Sequence, residues 1–307
     1  MNDIALDRIV MAKNELSRDI GWLKMDIERL SQEVASLKRN IGIQKIRSLK
    51  EMIQRRGLKI CKENATEMTL IPKDIPQNLK NAFYEMLKKY SFRLFLRDMI
   101  QKGNSFEVES LTRYCCTKSA KKYLDFLEEL GVIQVYEGDK YMLAINPVHS
   151  FGPTLEWYVS EIFKREFLCP ALYGVNFKDT SAGGDYDVLA QWEQYLIYVE
   201  VKSSPPKGIE INEITAFVNR TKDLMPHIAV FLVDTELRMK DKIVALFEEE
   251  MKNRYGNEAE RTYPVQRLVN ELFHINNSLY IINSRKSLAL NLLTCIRHHL
   301  NSQSMRL

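Results

Sequence analysis

Three charged residues that could do chemistry lie within two apolar segments near the middle of the chain. Asp187 lies in residues 184–190, and Glu200 and Lys202 lie in residues 196–203. Because side chains alternate along a strand, Glu200 and Lys202 are predicted to share one face. Burying carboxylates costs free energy unless cations or a metal ion compensate them. The pattern therefore predicts a divalent metal site, for Mg²⁺ or Mn²⁺.

The elements that must position these residues follow from the surrounding pattern. The two segments are predicted to form a β-hairpin that turns within residues 192–194. A helix is expected just before it, with Thr154 as its N-cap. A helix over about 210–224 and a strand over 228–234 are expected after it. Strands alternating with helices indicate an α/β core.

These motifs, in this order, resemble those of the PD-(D/E)XK, or restriction-endonuclease-like, nuclease superfamily. The matching stretches are Gly-Asp-Tyr-Asp-Val-Leu at 184–189, Val-Glu-Val-Lys-Ser at 199–203 and the first-helix motif Leu-Glu-Trp-Tyr-Val at 155–159. Tyr186 stands where many members have proline. The resemblance covers roughly residues 150–235. It implies an α/β (α+β) core in which helices flank a mixed central sheet.

The resemblance also implies roles for individual residues. Asp187 and Glu200 would bind the metal ion, and Lys202 would lie beside the attacking water. Mg²⁺ prefers oxygen ligands, so the backbone carbonyl of Val201 is a further candidate ligand. Glu156, from the first-helix motif, would complete the metal shell or accept a proton. Asp185 stays open as an alternative to Asp187, because residues two apart on a strand share a face.

The N-terminal region carries a heptad pattern. Leucines recur every seven residues from position 16 to 37, and β-branched residues do the same from 20 to 41. Leucine at d with β-branched residues at a is typical of a parallel two-stranded coiled coil. An amphipathic helix packed on its own chain is the alternative. The pattern predicts a homodimer through this helix.

A basic run follows the heptads. Residues 38–62 contain many lysines and arginines, including Arg55 and Arg56, and a single acidic residue, Glu51. Such a run suits a nucleic-acid backbone, although it is also compatible with an ordinary solvated helix face. We expect one long helix over 1–62, formed by the coiled coil and this basic extension.

The segment 79–147 is predicted to be a winged helix-turn-helix domain after a linker at 63–78. We expect a long helix over 78–102, a short helix over 107–115, a third helix from about 118 to 130, and a hairpin that turns at Glu137–Asp139. Lysines lie where a recognition helix contacts DNA. They are Lys118, Lys121 and Lys122.

Residues 148–307 are assigned to the nuclease domain. In its C-terminal part we expect helices over 239–251, 265–273 and 286–300 and a strand over 278–283. The scattered cysteines and histidines make zinc chemistry or a cysteine nucleophile improbable. No apolar run reaches the ~18 residues of a membrane helix, so we expect a cytoplasmic protein.

These observations predict a Mg²⁺-dependent DNA endonuclease. The alternatives are a non-catalytic nucleic-acid-binding or regulatory protein on a degenerate nuclease core, and a nuclease that acts on RNA.

Overall fold

The computed structural model describes residues 2–103, 105–138, 140–145, 148–178 and 180–304. Residues 1–48 and residues 49–307 form two compact units. The helix α1 (Asn2–Gln54) begins in the first unit and ends in the second. The remaining helices are α2 (Gln77–Leu87), α3 (Tyr90–Lys102), α4 (Thr117–Glu129), α5 (Gly152–Arg165), α6 (Ile211–Leu224), α7 (Ala245–Tyr255), α8 (Ala259–Thr262) and α9 (Leu288–Ser304).

Most strands belong to one large mixed sheet, ordered β1-β5-β6-β7-β8-β11-β10-β9. The pairs β7–β8 and β8–β11 are parallel, and the other neighbours are antiparallel. These strands are β1 (Lys59–Lys62), β5 (Ala171–Lys178), β6 (Asp185–Trp192), β7 (Tyr195–Lys202), β8 (Ile228–Val233), β9 (Gln266–Val269), β10 (Leu272–Ile275) and β11 (Leu279–Asn283). A small antiparallel sheet contains β2 (Phe106–Glu107), β3 (Ile133–Glu137) and β4 (Lys140–Leu143).

The predicted hairpin is confirmed. Strands β6 and β7 pair from Val188 opposite Val199 to Trp192 opposite Tyr195. Their apolar side chains fill both faces of the sheet, and β7 is buried along almost its whole length. A run that is apolar on both faces is typical of a central strand. Helix α6 begins with a capping box. The Glu210 side chain accepts a hydrogen bond from the backbone N–H of Glu213, and the Glu213 side chain accepts one from the backbone N–H of Glu210.

One apolar core joins the segment 79–147 to the large sheet. Phe92 of α3, Leu124 of α4, Trp157 of α5 and Val199 of β7 belong to the same buried cluster. The predicted linker also contributes to it through Leu70. The structure therefore divides the chain after Ser48, whereas the sequence-based boundaries lie at 62, 78 and 147. Those boundaries stay predictions.

Several predicted elements were wrong in detail. The helix predicted over 1–62 ends at Gln54, because Lys59–Lys62 pairs with β5 as an edge strand. The helix predicted over 78–102 is broken into α2 and α3. The segment predicted as a helix over 107–115 contains only a 3₁₀ turn at Val108–Leu111. The helix predicted over 265–273 is the antiparallel pair β9–β10. Asp139 of the predicted hairpin turn lies outside the described residues.

A buried ion-pair network connects α3 to the end of β8. Asp234, which follows β8, is fully buried, and Arg93 binds it with a 2.8 Å contact between Nη2 and Oδ1. Arg97 also pairs with the Asp234 carboxylate and donates to its backbone carbonyl at 2.7 Å. Although burial alone would raise the pKa of Asp234, the two guanidinium groups lower it to about 2. No helix among the described residues is long and apolar enough to cross a membrane.

Candidate active site

The candidate site forms where β6 and β7 separate beyond the Val188–Val199 pair. Asp187 and Glu200 are the next residues along the two strands. The Asp187 carboxylate enters the gap, and its Oδ2 atom accepts a 2.6 Å hydrogen bond from the Val201 amide. The Asp187 side chain thereby takes the place of a backbone acceptor for the Val201 amide. This hydrogen bond to β7 holds the carboxylate in place.

Glu200 is almost completely buried and surrounded by donors. Its Oε1 atom lies 2.6 Å from Arg220 Nη2 and 3.0 Å from Lys202 Nζ. Its Oε2 atom accepts a hydrogen bond from the Tyr198 hydroxyl, which in turn accepts one from Arg220 Nε at 2.9 Å. Lys202 Nζ also lies 3.1 Å from Glu213. The expected shared face of Glu200 and Lys202 is confirmed by their contact.

Glu156 of α5 belongs to the same electrostatic environment. Burial raises its pKa to about 7, assisted by the charges of Glu200 and Asp185 and opposed by Lys202. Gly174 lies beside this carboxylate: a Cβ atom built on it would be in ordinary contact with Glu156 Oε2, at 3.7 Å. The other glutamate of this helix, Glu161, instead pairs with basic residues of its own helix at 2.7 and 3.1 Å.

The charged groups of the site lie close enough to shift one another's pKa. Burial raises the pKa of Asp187 well above its ordinary value, and Glu200 and Glu156 raise it further. Burial alone would lower the pKa of Lys202, but Glu200 and Asp187 raise it. Clustered carboxylates repel one another, so a bound cation would lower the free energy of their ionised forms.

The residues fit a divalent cation by their chemistry. Carboxylate oxygens of Asp187, Glu200 and Glu156 are the ligand type that Mg²⁺ prefers. In this structure Glu200 forms ion pairs with Lys202 and Arg220 and accepts a hydrogen bond from Tyr198. The Val201 amide donates a hydrogen bond to Asp187. Within the described residues, no three His, Cys, Asp or Glu side chains are already arranged to hold a metal ion. Metal binding would therefore require Glu200 to exchange at least one of these partners.

Asp185 and Asp187 occupy different environments. Asp185 is exposed and accepts a 2.8 Å hydrogen bond from Asn176 Nδ2. Asp187 is half-buried and carries the bond to the Val201 amide. Asp185 still contributes to the field at Glu156.

Two partners of Glu200 were missed in the sequence. Tyr198 lies two residues before Glu200 on the same strand, a spacing that places both side chains on one face. Arg220 comes from α6, and no local sequence pattern connects that helix to Glu200.

The predicted nucleic-acid contacts are solvent-facing except for one. Lys118, Lys121 and Lys122 are exposed on α4, and Arg55 is exposed just after α1. Arg56 is partly buried and donates to the Met52 carbonyl at 3.0 Å and the Met225 carbonyl at 3.4 Å. Its guanidinium is therefore already used within the fold.

No family model and no curated protein sequence matches this chain. Among solved structures, Can2 from Sulfobacillus thermosulfidooxidans, in complex with cyclic tetra-adenylate, has a TM-score of 0.47 and 13% identity over 81% of this chain and 60% of its own. Protein VC1899 from Vibrio cholerae has a TM-score of 0.49 and 12% identity over 82% and 62%. This chain therefore spans about three fifths of the length of each of these structures, to which it is distantly similar.

Proposed function

We propose that this protein is a metal-dependent nuclease that hydrolyses phosphodiester bonds, with DNA as the first candidate substrate. The observation that carries the proposal is the cluster of Glu156, Asp187 and Glu200 beside Lys202, in which the charge of Glu200 adds to burial in raising the pKa of Glu156 and of Asp187. Carboxylates of this kind, next to one half-buried lysine, can hold a cation and a phosphate together.

Each residue has a distinct task in this proposal. Asp187 and Glu200 would hold the ion, with Glu156 and the Val201 carbonyl as further candidate ligands. A bound Mg²⁺ or Mn²⁺ would lower the pKa of a water molecule and neutralise charge on the phosphate. The Lys202 ammonium, kept charged by Glu200 and Asp187, orients the attacking water or stabilises the developing negative charge. The Val201 amide keeps the Asp187 carboxylate in position.

A second candidate is a non-catalytic nucleic-acid-binding protein on the same core. The bonding of Glu200 to Lys202, Arg220 and Tyr198 favours it, because a fully paired carboxylate can serve structure alone. A metal site predicts that added divalent ions support cleavage and stabilise the protein, whereas a structural ion-pair cluster predicts neither effect.

Cleavage assays separate the two. Purified protein is incubated with plasmid DNA, linear DNA and RNA in Mg²⁺ or Mn²⁺. We expect cleavage that falls at least about 100-fold in Lys202→Ala and Asp187→Asn. The matched control is Asp185→Asn, which removes an exposed carboxylate two residues away. Cleavage that survives both active-site substitutions would contradict the site. No cleavage of any substrate by the unmodified protein would favour the binding protein.

Thermal unfolding provides a readout that needs no substrate. Mg²⁺ or Mn²⁺ should raise the melting temperature of the unmodified protein, because a ligand that binds only the folded state stabilises it. Asp187→Asn should abolish this increase and Asp185→Asn should preserve it. An equal increase in all three proteins would show that the ion binds elsewhere.

The proposal includes DNA binding by the segment 79–147 as a winged helix. Helix α4 presents exposed Lys118, Lys121 and Lys122, followed by the β3–β4 hairpin. Substituting all three lysines by alanine should weaken DNA binding at least about tenfold and reduce its salt dependence, because phosphate contacts release counterions. The control replaces three exposed lysines outside this segment, Lys240, Lys252 and Lys286. Equal losses in both triple variants would indicate a general effect of net charge.

A further inference from the structure

A cleft of about 530 Å³ opens beside the candidate active site. Its wall includes Ser203 and Ser204, which directly follow Lys202 at the end of β7, and Thr235, which follows β8. Strands β7 and β8 are parallel, so their carboxyl ends lie at the same edge of the sheet. Crevices at the carboxyl ends of parallel strands are frequent ligand sites.

Helix α3 forms the opposite wall and is held firmly. Arg93 and Arg97 bind Asp234 at the end of β8, as described above. The same helix directs Asp98 to the cleft. The ion pairs with Asp234 therefore hold this wall of the cleft against the end of β8.

Asp98 is the unusual residue of this wall. It is only 6% exposed, and its buried Oδ2 atom has no hydrogen-bond partner among the described residues. A buried carboxylate oxygen without a donor is unfavourable, because it has lost its hydrogen bonds to water and gained none in the fold. A ligand that brings an N–H group into the cleft would remove this cost.

The other wall residues limit what that ligand can be. Arg113 and His149 add cationic or protonatable groups at the cleft, and Arg113 stacks on Tyr114 with 5.1 Å between its guanidinium carbon and the ring centroid. Tyr90 and the partly exposed Tyr114 add aromatic surface. A cationic peptide could satisfy Asp98, but the arginines would repel it. A nucleotide offers an anionic phosphate for the cations, a flat base for the aromatic rings and N–H donors for the carboxylate.

We propose that this cleft binds a nucleotide whose base carries an amino group, and that in the nuclease it receives the unpaired nucleotide next to the phosphate that is cut. Guanine is the preferred base, because its N1–H and amino group are adjacent donors toward a carboxylate. Uracil and thymine present carbonyl oxygens on both sides of their single N–H and are repelled. The second part of the proposal rests on the proposed function, and it makes single-stranded or locally unpaired nucleic acid the substrate class.

Binding measurements on the full chain test the cleft without relying on catalysis. Calorimetric titration with GMP, AMP, CMP and UMP should show GMP binding tightest and UMP at least about tenfold weaker. Asp98→Asn, which preserves side-chain shape, should weaken GMP binding roughly tenfold and reduce the difference between the bases. Tyr114→Ala should weaken all four nucleotides, and Tyr136→Ala, on the exposed β3–β4 hairpin, should change none of them.

Two results would overturn the nucleotide site. One is the absence of binding by any of the four nucleotides at millimolar concentration. The other is a base preference that Asp98→Asn leaves unchanged while its melting temperature shows that the variant is folded.

Oligonucleotides separate a bound strand from a free nucleotide. A single-stranded oligothymidylate with one central dG should bind more tightly than oligothymidylate alone, and Asp98→Asn should abolish this advantage. If GMP behaves as expected but the central dG gives no advantage, the cleft serves free nucleotides and its role as a strand subsite is wrong. Because these arms measure binding, failure of the nuclease function would appear separately, as absent cleavage.

Discussion

At the scale of single residues, the carboxylates of the site differ in whether a basic side chain pairs with them. Glu200 is paired with Lys202 and Arg220, whereas neither Asp187 nor Glu156 has a basic side chain within ion-pair distance among the described residues. Asp187 and Glu156 are the carboxylates whose pKa values are raised. The ionised forms of these two carboxylates are therefore the ones that a bound cation would stabilise.

Glu156 should make stability depend on pH in metal-free buffer. Its pKa is about 7 in the folded protein against an ordinary 4.5, so the folded chain retains a proton that the unfolded chain releases. The free energy of unfolding should therefore fall as pH rises through this window. In Glu156→Gln the free energy of unfolding should fall less as pH rises. Near pH 8 the variant should therefore be more stable than the unmodified protein, by on the order of 2 kcal/mol. Urea unfolding at several pH values measures it.

Glu161→Gln is the control on the same helix. Although burial alone would raise the pKa of Glu161, Lys164 and Arg165 lower it, so its ionised form stabilises the fold above its ordinary pKa. This variant should lose stability at neutral pH. If both variants shift in the same direction, the assigned environments are wrong.

Gly184 should be intolerant of a side chain for a specific reason. Its φ is +76°, and a Cβ atom would lie 3.3 Å from Arg220 Nη1. Gly183 has a similar φ of +61° but nothing within 4 Å of its Cβ position. Alanine at either position should cost about 1 kcal/mol of stability. Only Gly184→Ala should also displace Arg220 from Glu200 and reduce cleavage at least about tenfold. Equal activities of the two variants would exclude a role for this contact.

At the scale of elements, the attachment of α3 to β8 combines charge with burial. Arg93 and Asp234 are both almost inaccessible to solvent. Such a pair adds little over an apolar contact, but loss of one partner leaves an uncompensated buried charge. The same attachment forms one wall of the nucleotide cleft, so stability and binding depend on one ion-pair network.

Asp234→Ala should therefore cost about 3–5 kcal/mol of unfolding free energy. Asp241→Ala, which removes an exposed carboxylate 3.8 Å from Arg238, should change it by less than about 0.5 kcal/mol. Because the pKa of Asp234 is lowered to about 2, its contribution is present above the ordinary value of 3.8 and is lost as pH falls through 2. Chemical denaturation from pH 2 to 7 measures the stability of both variants and the pH dependence of the Asp234 contribution. A small loss in Asp234→Ala would show that the arginines find other partners.

At the scale of the whole molecule, the heptad residues of α1 are exposed in the single chain. Leu16, Leu23, Leu30 and Leu37 are each more than half exposed, as is Ile27. An apolar stripe of this length is costly in water and is buried when two such helices pair. The helix is confirmed, and the homodimer stays a prediction.

Light scattering after size exclusion tests the dimer. Leu23→Glu with Leu30→Glu should reduce the mass from that of a dimer to the 35.9 kDa chain, because charges at two successive d positions repel across a coiled coil. Met25→Glu with Gln32→Glu places the same charges on the outer face and should leave the dimer intact. A monomeric unmodified protein would refute the coiled coil.

Local patterns determined much of the candidate site. The apolar runs around Asp187 and Glu200 were sufficient to predict the β6–β7 hairpin, because alternation and turn residues act over a few positions. The heptads predicted the helix, and the first-helix motif at 155–159 indicated Glu156. Within residues 265–273 local propensity was misleading: Asn270, with φ of +52°, allows the turn between β9 and β10.

Pairing between residues far apart in the sequence decided the strands and side-chain contacts that local patterns did not predict. Strands β1 and β5 were not recognised, because an edge strand such as Lys59–Lys62 exists only through its partner. The contact of Arg220 with Glu200, the burial of Asp98 and the attachment of α3 to Asp234 join residues far apart in the chain. The sequence by itself determined which groups could do chemistry. Only the tertiary structure decided which of them are paired, because pairing depends on distances that no local pattern contains.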